Sequence, residues 1–145
     1  MKIITVVDEK NGLLFNHRRQ SQDAALRREI LKLTAGHCLW MNAYSYKQFE
    51  NREESAEFSD VSIQVAEEFL SKASEDAYCF VENLALLPYL SSIQEVILFK
   101  WNRTYPSDFS FDLTIPGPGW RLKETCDFAG TSHETITKEV YQHEM

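Results

Sequence analysis

Short apolar runs alternate with amphipathic stretches along most of this chain, and near residue 109 the amphipathic stretches stop. Residues 2–7 (KIITVV) are apolar and β-branched, which suits a buried strand. Asn11-Gly12 punctuates a turn after it, and a polar loop is expected to about Ser21. Ser21 or Asp23 can cap a helix to about Thr34, whose positions Leu26, Ile30 and Leu33 form one apolar stripe. Gly36 stops it. Residues 37–41 (HCLWM) read as a short buried strand, and Asn42 caps a second helix to about Glu50. Residues 51–55 (NREES) read as a polar connection and residues 57–59 as a short strand. Ser59 or Asp60 is expected to cap a third helix with the stripe Val61, Val65 and Phe69. Residues 78–81 (YCFV) make another buried strand, and Asn83 begins a short helix that Pro88 limits. Residues 95–101 (EVILFKW) are the strongest strand pattern. Residues 109–113, 120–127 and 135–141 read as strands with turns between them and no helix.

Strands that alternate with helices build βαβ units and a mostly parallel sheet. A helix-free run of strands gives that sheet an antiparallel finish. The expectation is one α/β domain with a mixed sheet over residues 1–145, with no repeat and no internal linker.

Composition narrows the class. The chain has 145 residues, 43% hydrophobic and 26% charged, which fits one globular domain. Its apolar runs are far shorter than the roughly 20 residues that span a bilayer, so no membrane segment is expected. The first apolar run is too short for a secretion signal and ends in the charge of Asp8. Cys38, Cys79 and Cys126 are odd in number and widely spaced, which reads as reduced thiols in a cytoplasmic protein, without a disulfide framework or a zinc site. A net charge of −7 argues against general nucleic-acid binding. The charge is uneven: residues 1–50 hold eight Lys/Arg and five Asp/Glu, against seven and seventeen in the rest. Arg18, Arg19, Arg27, Arg28 and Lys32 supply most of the early positive charge. They form either a solvated helix face with its preceding loop or a small anion site.

The anion reading has a chemical basis. The loop from His17 to Asp23 leads into a helix N-terminus, where backbone N–H groups favour anions. Arg18 and Arg19 can fork a phosphate or carboxylate there. Asn102 and Arg103 follow the strongest strand, and Glu82 and Asn83 follow another; ligands of α/β sheets gather at such ends. Arg18, Arg19, Asp23, Glu82, Asn83, Asn102 and Arg103 are therefore candidates for one mixed-charge site, with solvent-facing polarity as the alternative. Ser132-His133-Glu134 cannot form a triad among themselves, because adjacent side chains point apart. His133 can still act as an acid or base with a distant partner, or simply sit in a turn between strands. Cys38 and Cys79 are expected to be inert core thiols. No Gly-rich phosphate loop, CxxC pair or HExxH segment occurs.

Several segments carry a resemblance. Val7-Asp8-Glu9-Lys10-Asn11-Gly12, Leu39-Trp40-Met41-Asn42-Ala43-Tyr44, Leu86-Leu87-Pro88-Tyr89 and Phe109-Ser110-Phe111-Asp112, in this order of elements, resemble dihydrofolate reductase. The resemblance implies a dihydrofolate-reductase-like mixed sheet, mostly parallel with antiparallel C-terminal strands, flanked by about four helices. It also implies lost chemistry. The pterin-binding carboxylate of the family falls on Leu26, its Gly-Arg pair on Asn42-Ala43, and its Gly-Gly pair among Val81, Glu82 and Asn83. The span from Tyr46 to Tyr78 looks too short for the family's strand and adenosine loop.

The chain also resembles a group of small bacterial reductase-like proteins, through Asn16-His17-Arg18-Arg19-Gln20-Ser21-Gln22-Asp23, Trp101-Asn102-Arg103-Thr104-Tyr105-Pro106 and Asp127-Phe128-Ala129-Gly130-Thr131-Ser132-His133-Glu134. Such proteins often carry the label ribonuclease Z. That nuclease has a His-x-His-x-Asp-His metal motif, and His17, His37, His133 and His143 are not spaced that way. The expectation is a pseudoenzyme without cofactor or metal that holds a small anionic ligand in a remodelled cleft. The alternatives are a hydrolase using His133 with cleft carboxylates, and a non-catalytic partner-binding protein anchored by Trp40, Trp101 and Tyr105.

Overall fold

The KIITVV run lies inside a seven-stranded sheet, with a parallel neighbour on each side. A computed structural model describes residues 1–50 and 52–144. In chain order these fold into β1 (Lys2–Val7), β2 (Gly12–Phe15), β3 (Arg18–Arg19), α1 (Ala24–Leu33), β4 (Cys38–Met41), α2 (Ala43–Phe49) and α3 (Glu53–Glu57). There follow β5 (Ser62–Val65), β6 (Tyr78–Phe80), β7 (Glu95–Lys100), β8 (Phe109–Ser110), β9 (Trp120–Phe128) and β10 (Ile136–His143), with 3₁₀ turns at Phe69–Ser71 and Leu87–Ser92. The main sheet runs β5-β4-β6-β1-β7-β10-β9. It is parallel from β5 to β7, and β10 is antiparallel to both of its neighbours.

The order follows from burial. Ile3, Ile4 and the run from Val96 to Phe99 are fully enclosed, as expected of strands covered on both faces. On one face Leu26, Ile30 and Leu31 of α1 pack with Ile4, Phe80 and Phe99; on the other Ile3, Val96 and Leu98 pack with Phe69, Leu86 and Phe111. Asp23 caps α1, accepting from the N–H groups of Ala25 and Leu26. Gly36, just beyond the helix, has φ +79, where an L side chain is strained. Gly36→Ala is expected to cost about 1 kcal/mol, read as a lower urea midpoint with an unchanged slope.

Four local expectations are corrected. The loop after β1 contains a hairpin: β2 and β3 pair across Asn16 and His17, both at positive φ, and β8 completes a small second sheet. Two left-handed residues match the twist of a two-residue hairpin turn. The connection after α2 is helical at Glu53–Glu57, where Glu53 and Glu54 in the first turn favour the helix N-terminus and Glu54 meets Arg27 at 3.0 Å. Asn51 of that connection lies outside the described residues. The expected third helix is β5, paired in parallel with β4, so the span from Tyr46 to Tyr78 does hold a strand. Val61, Ile63 and Val65 fit period 2 as well as Val61, Val65 and Phe69 fit a helix, and the free edge of β4 decides between them. Asn83 begins no helix. Pro88 opens a 3₁₀ turn instead of ending one, and Asp112 accepts from the N–H groups of Leu86 and Leu87 there.

Candidate functional site

The ends of β1 and β6, the hairpin and the start of α1 meet around a narrow cleft lined by Val6, Leu13, Leu26, Gln48, Phe80 and Trp101, with Arg19, Gln20, Ser21 and Glu82 at its polar end. Its volume is about 10 Å³. That is room for about one water. Strand β3 delivers Arg19 into it. The Arg19 N–H donates to the Tyr44 hydroxyl at 2.7 Å, and the guanidinium lies 4.6 Å over the Tyr44 ring. Nε and Nη2 donate to the two oxygens of Glu82 at 2.8 and 3.0 Å, a bidentate pair. Gln48 adds a third donor to Glu82 at 3.3 Å. Leu26, only 1% exposed, occupies the helix face where the resemblance places a carboxylate.

A second cluster adjoins the cleft. His133, in the turn between β9 and β10, is buried. Its Nδ1 lies 2.9 Å from Asp23 Oδ2, and its Nε2 lies 3.0 Å from both Ser21 Oγ and the Tyr105 hydroxyl. Trp101 stacks on the imidazole at 4.3 Å. Asp23 also accepts from the N–H groups of Thr131 and Ser132, besides capping α1. Burial pushes its carboxyl up, but these N–H donors and the His133 ring outweigh burial and hold it far below the usual carboxylate range. Asp8 binds the surrounding loops: it accepts from Lys10, Gly12, Gln20 and Tyr105. Burial pushes the Asp8 carboxyl up too, and the same donors bring it below its ordinary value.

The eight candidate residues do not converge. Arg19 and Glu82 share the cleft, and Asp23 and His133 share the adjoining cluster. Arg18 is exposed on the hairpin. Asn83 accepts from Asn42 at 2.8 Å and borders an open hollow of about 480 Å³ with Leu14, His17, Asp108 and Phe109. Asn102, at φ +59, donates to Thr135 and Thr137 and so ties β7 to β10. With exposed Arg103 it borders a separate hollow of about 130 Å³. Strand ends sharing one side of a sheet are still spread across its width, which is why residues after β6 and β7 miss each other.

Other residues depart from expectation. Trp101 is buried against His133 and not a surface anchor. Cys79 is a core thiol whose burial pushes it up to about 12, whereas Cys38 is exposed at the start of β4. Ser21, Tyr44, Gln48 and Tyr105 also belong to the two clusters, and nothing in their own segments marks them as site residues. Ser21 and His133 lie 112 residues apart. No local pattern in the sequence joins them.

Among the described residues, no group of three or more His, Cys, Asp or Glu is placed to hold a metal, and no helix is long and apolar enough to cross a membrane.

The comparisons agree with this architecture. The chain is similar to the solved structure of a dihydrofolate reductase from Enterococcus faecalis, complexed with NADP(H) and RAB-propyl, with a TM-score of 0.65. The likeness covers 100% of this chain and 97% of that one at 11% identity, which shows the fold alone. No family model and no curated protein matches the chain in sequence. The fold is α/β and dihydrofolate-reductase-like: a mixed sheet, mostly parallel, with antiparallel C-terminal strands.

Proposed function

We propose that this chain uses the reductase fold without its chemistry, as a binding protein for a small anionic ligand. The observation that carries the first half is the cleft of about 10 Å³. A benzene-sized guest takes about 150 Å³, and a pterin is larger. Leu26 offers no oxygen to a pterin, and Glu82, close after β6, repels a pyrophosphate where the family has glycines. Asn42-Ala43 brings no cation where the family has Gly-Arg. The ligand half is supported by the open hollow beside Asn83, whose volume of about 480 Å³ falls in the small-molecule range. His17 lines it alongside the carboxylate of Asp108, and exposed Arg18, next to His17 on the hairpin, is the guanidinium left to meet an anion, since Arg19 is committed to Glu82.

Purified protein is expected to show no dihydrofolate-dependent oxidation of NADPH; steady turnover overturns the first half. Phosphate, sulfate or a nucleotide is expected to raise the thermal midpoint, and Arg18→Ala to remove most of that rise. An unmoved midpoint with every anion overturns the second half.

A further inference from the structure

Beyond ligand binding, and without resting on it, we infer that Ser21 is a nucleophilic serine, with His133 as its base and Asp23 as a positioning residue, that accepts a small acyl group from an ester. Ser21 Oγ and the Asp23 carboxylate lie at opposite edges of one imidazole, 3.0 Å from Nε2 and 2.9 Å from Nδ1. A carboxylate only accepts, so Nδ1 carries a proton, and in the neutral ring the Nε2 lone pair then faces the serine. This is the arrangement of an activated hydroxyl, recognised by geometry and not by sequence order.

The surroundings hold that arrangement in place. Trp101 stacks on the ring, and the N–H groups of Thr131 and Ser132 fix the carboxylate. Gly130 leaves the room they need, because a Cβ there would fall 2.8 Å from Asp23 Oδ2. Exposure decreases along the line. The side chains of His133 and Asp23 are 4% and 0% exposed, while Ser21 is half-buried and borders the cleft. The serine is therefore where a substrate can meet the relay. A clamp between the turn and the helix would need only Asp23 and its donors, and would leave the Nε2 side unexplained. Two hydroxyls, Ser21 and Tyr105, compete there for one lone pair.

The reaction balances without any further reagent. Ser21 Oγ attacks the ester carbonyl carbon and its proton passes to His133 Nε2. The bond to the alcohol oxygen breaks, and the alcohol leaves with that proton. Water then attacks the Ser21 ester, gives a proton to Nε2, and Ser21 departs by taking it back, releasing the carboxylic acid. The cleft beside Ser21 has room for a group of about the size of a water, which fits the methyl of an acetyl ester and no longer chain.

The test uses full-length protein with p-nitrophenyl acetate and a small fluorophosphonate, followed by intact mass and peptide mapping. A single adduct on Ser21 is expected, lost in Ser21→Ala. His133→Gln is expected to slow it by roughly a hundredfold. Tyr105→Phe is expected to speed it several-fold, because Ser21 is then the sole donor to Nε2. Asp23→Asn is expected to slow labelling and move the midpoint of its pH–rate profile to lower pH, because the imidazolium loses its anion. Circular dichroism establishes that each variant is folded, and Ser21→Ala and Tyr105→Phe are small enough to decide the matter should the others unfold. No adduct on Ser21, a rate unchanged in His133→Gln, or a Tyr105→Phe rate no faster than wild type overturns the assignment.

Discussion

Asp23→Ala is expected to lower the thermal midpoint by about 10 °C, the consequence of roughly 3 kcal/mol in a chain of this size. The side chain is fully enclosed and answers donors from two separate parts of the chain. Loss of a helix cap costs about 1 kcal/mol. Leaving the Thr131 and Ser132 N–H groups and the His133 ring without their acceptor adds about 1–3 kcal/mol. Differential scanning calorimetry reads the sum.

The same variant should also change the acid limb of stability. The Asp23 carboxyl titrates lower in the folded chain than in the unfolded one, so its contribution is fully present above the unfolded value. That contribution fades as pH falls below about 4, the ordinary carboxyl range. Wild-type protein should therefore lose stability from about pH 4 downward more steeply than Asp23→Ala does. Equal acid slopes in the two proteins would mean that the carboxylate carries no net charge-dependent stabilisation.

What the sequence discloses here depends on whether the deciding contact is local. The strands β1, β6 and β7 are legible because both of their faces are buried, so every position reports the same thing. Helix α1 is legible because its cap, stripe and stop lie within one stretch. Strand β5 is not, since four residues fit two periods and the choice belongs to β4, far away in the chain. The site divides in the same way. Arg19 and Glu82 carry chemistry that can be seen in the sequence, but nothing local says that each answers the other across the cleft. His133 looks like a turn residue until Ser21, Asp23 and Tyr105 close around it. Ser132-His133-Glu134 forms no unit, because adjacent side chains point apart; the distant partners of His133 come from the segment after β3, the cap of α1 and the loop after β7.

Glu82→Ala should do two things at once. It removes the bidentate partner of Arg19, whose side chain is only 20% exposed, and the acceptor of Gln48. Charged hydrogen bonds of this kind are each worth about 1.5–3 kcal/mol, and partial access of water to Arg19 discounts the loss to about 2 kcal/mol in all. The truncation also enlarges the cleft and leaves a cationic fork facing it, beside Gln48 and the Tyr44 ring. The variant should therefore gain an anion site that wild-type protein fills with its own carboxylate. Phosphate should raise the midpoint of Glu82→Ala by more than that of wild type, as preferential binding to the folded state requires. Adding Arg19→Ala should abolish the extra rise, while Arg19→Ala alone should leave the wild-type response to phosphate unchanged. Thermal-shift titrations of the four proteins separate these outcomes. If phosphate acts through Arg19 in wild type as well, Glu82 does not close the cleft to anions, and the pair is a gate that an anion can open.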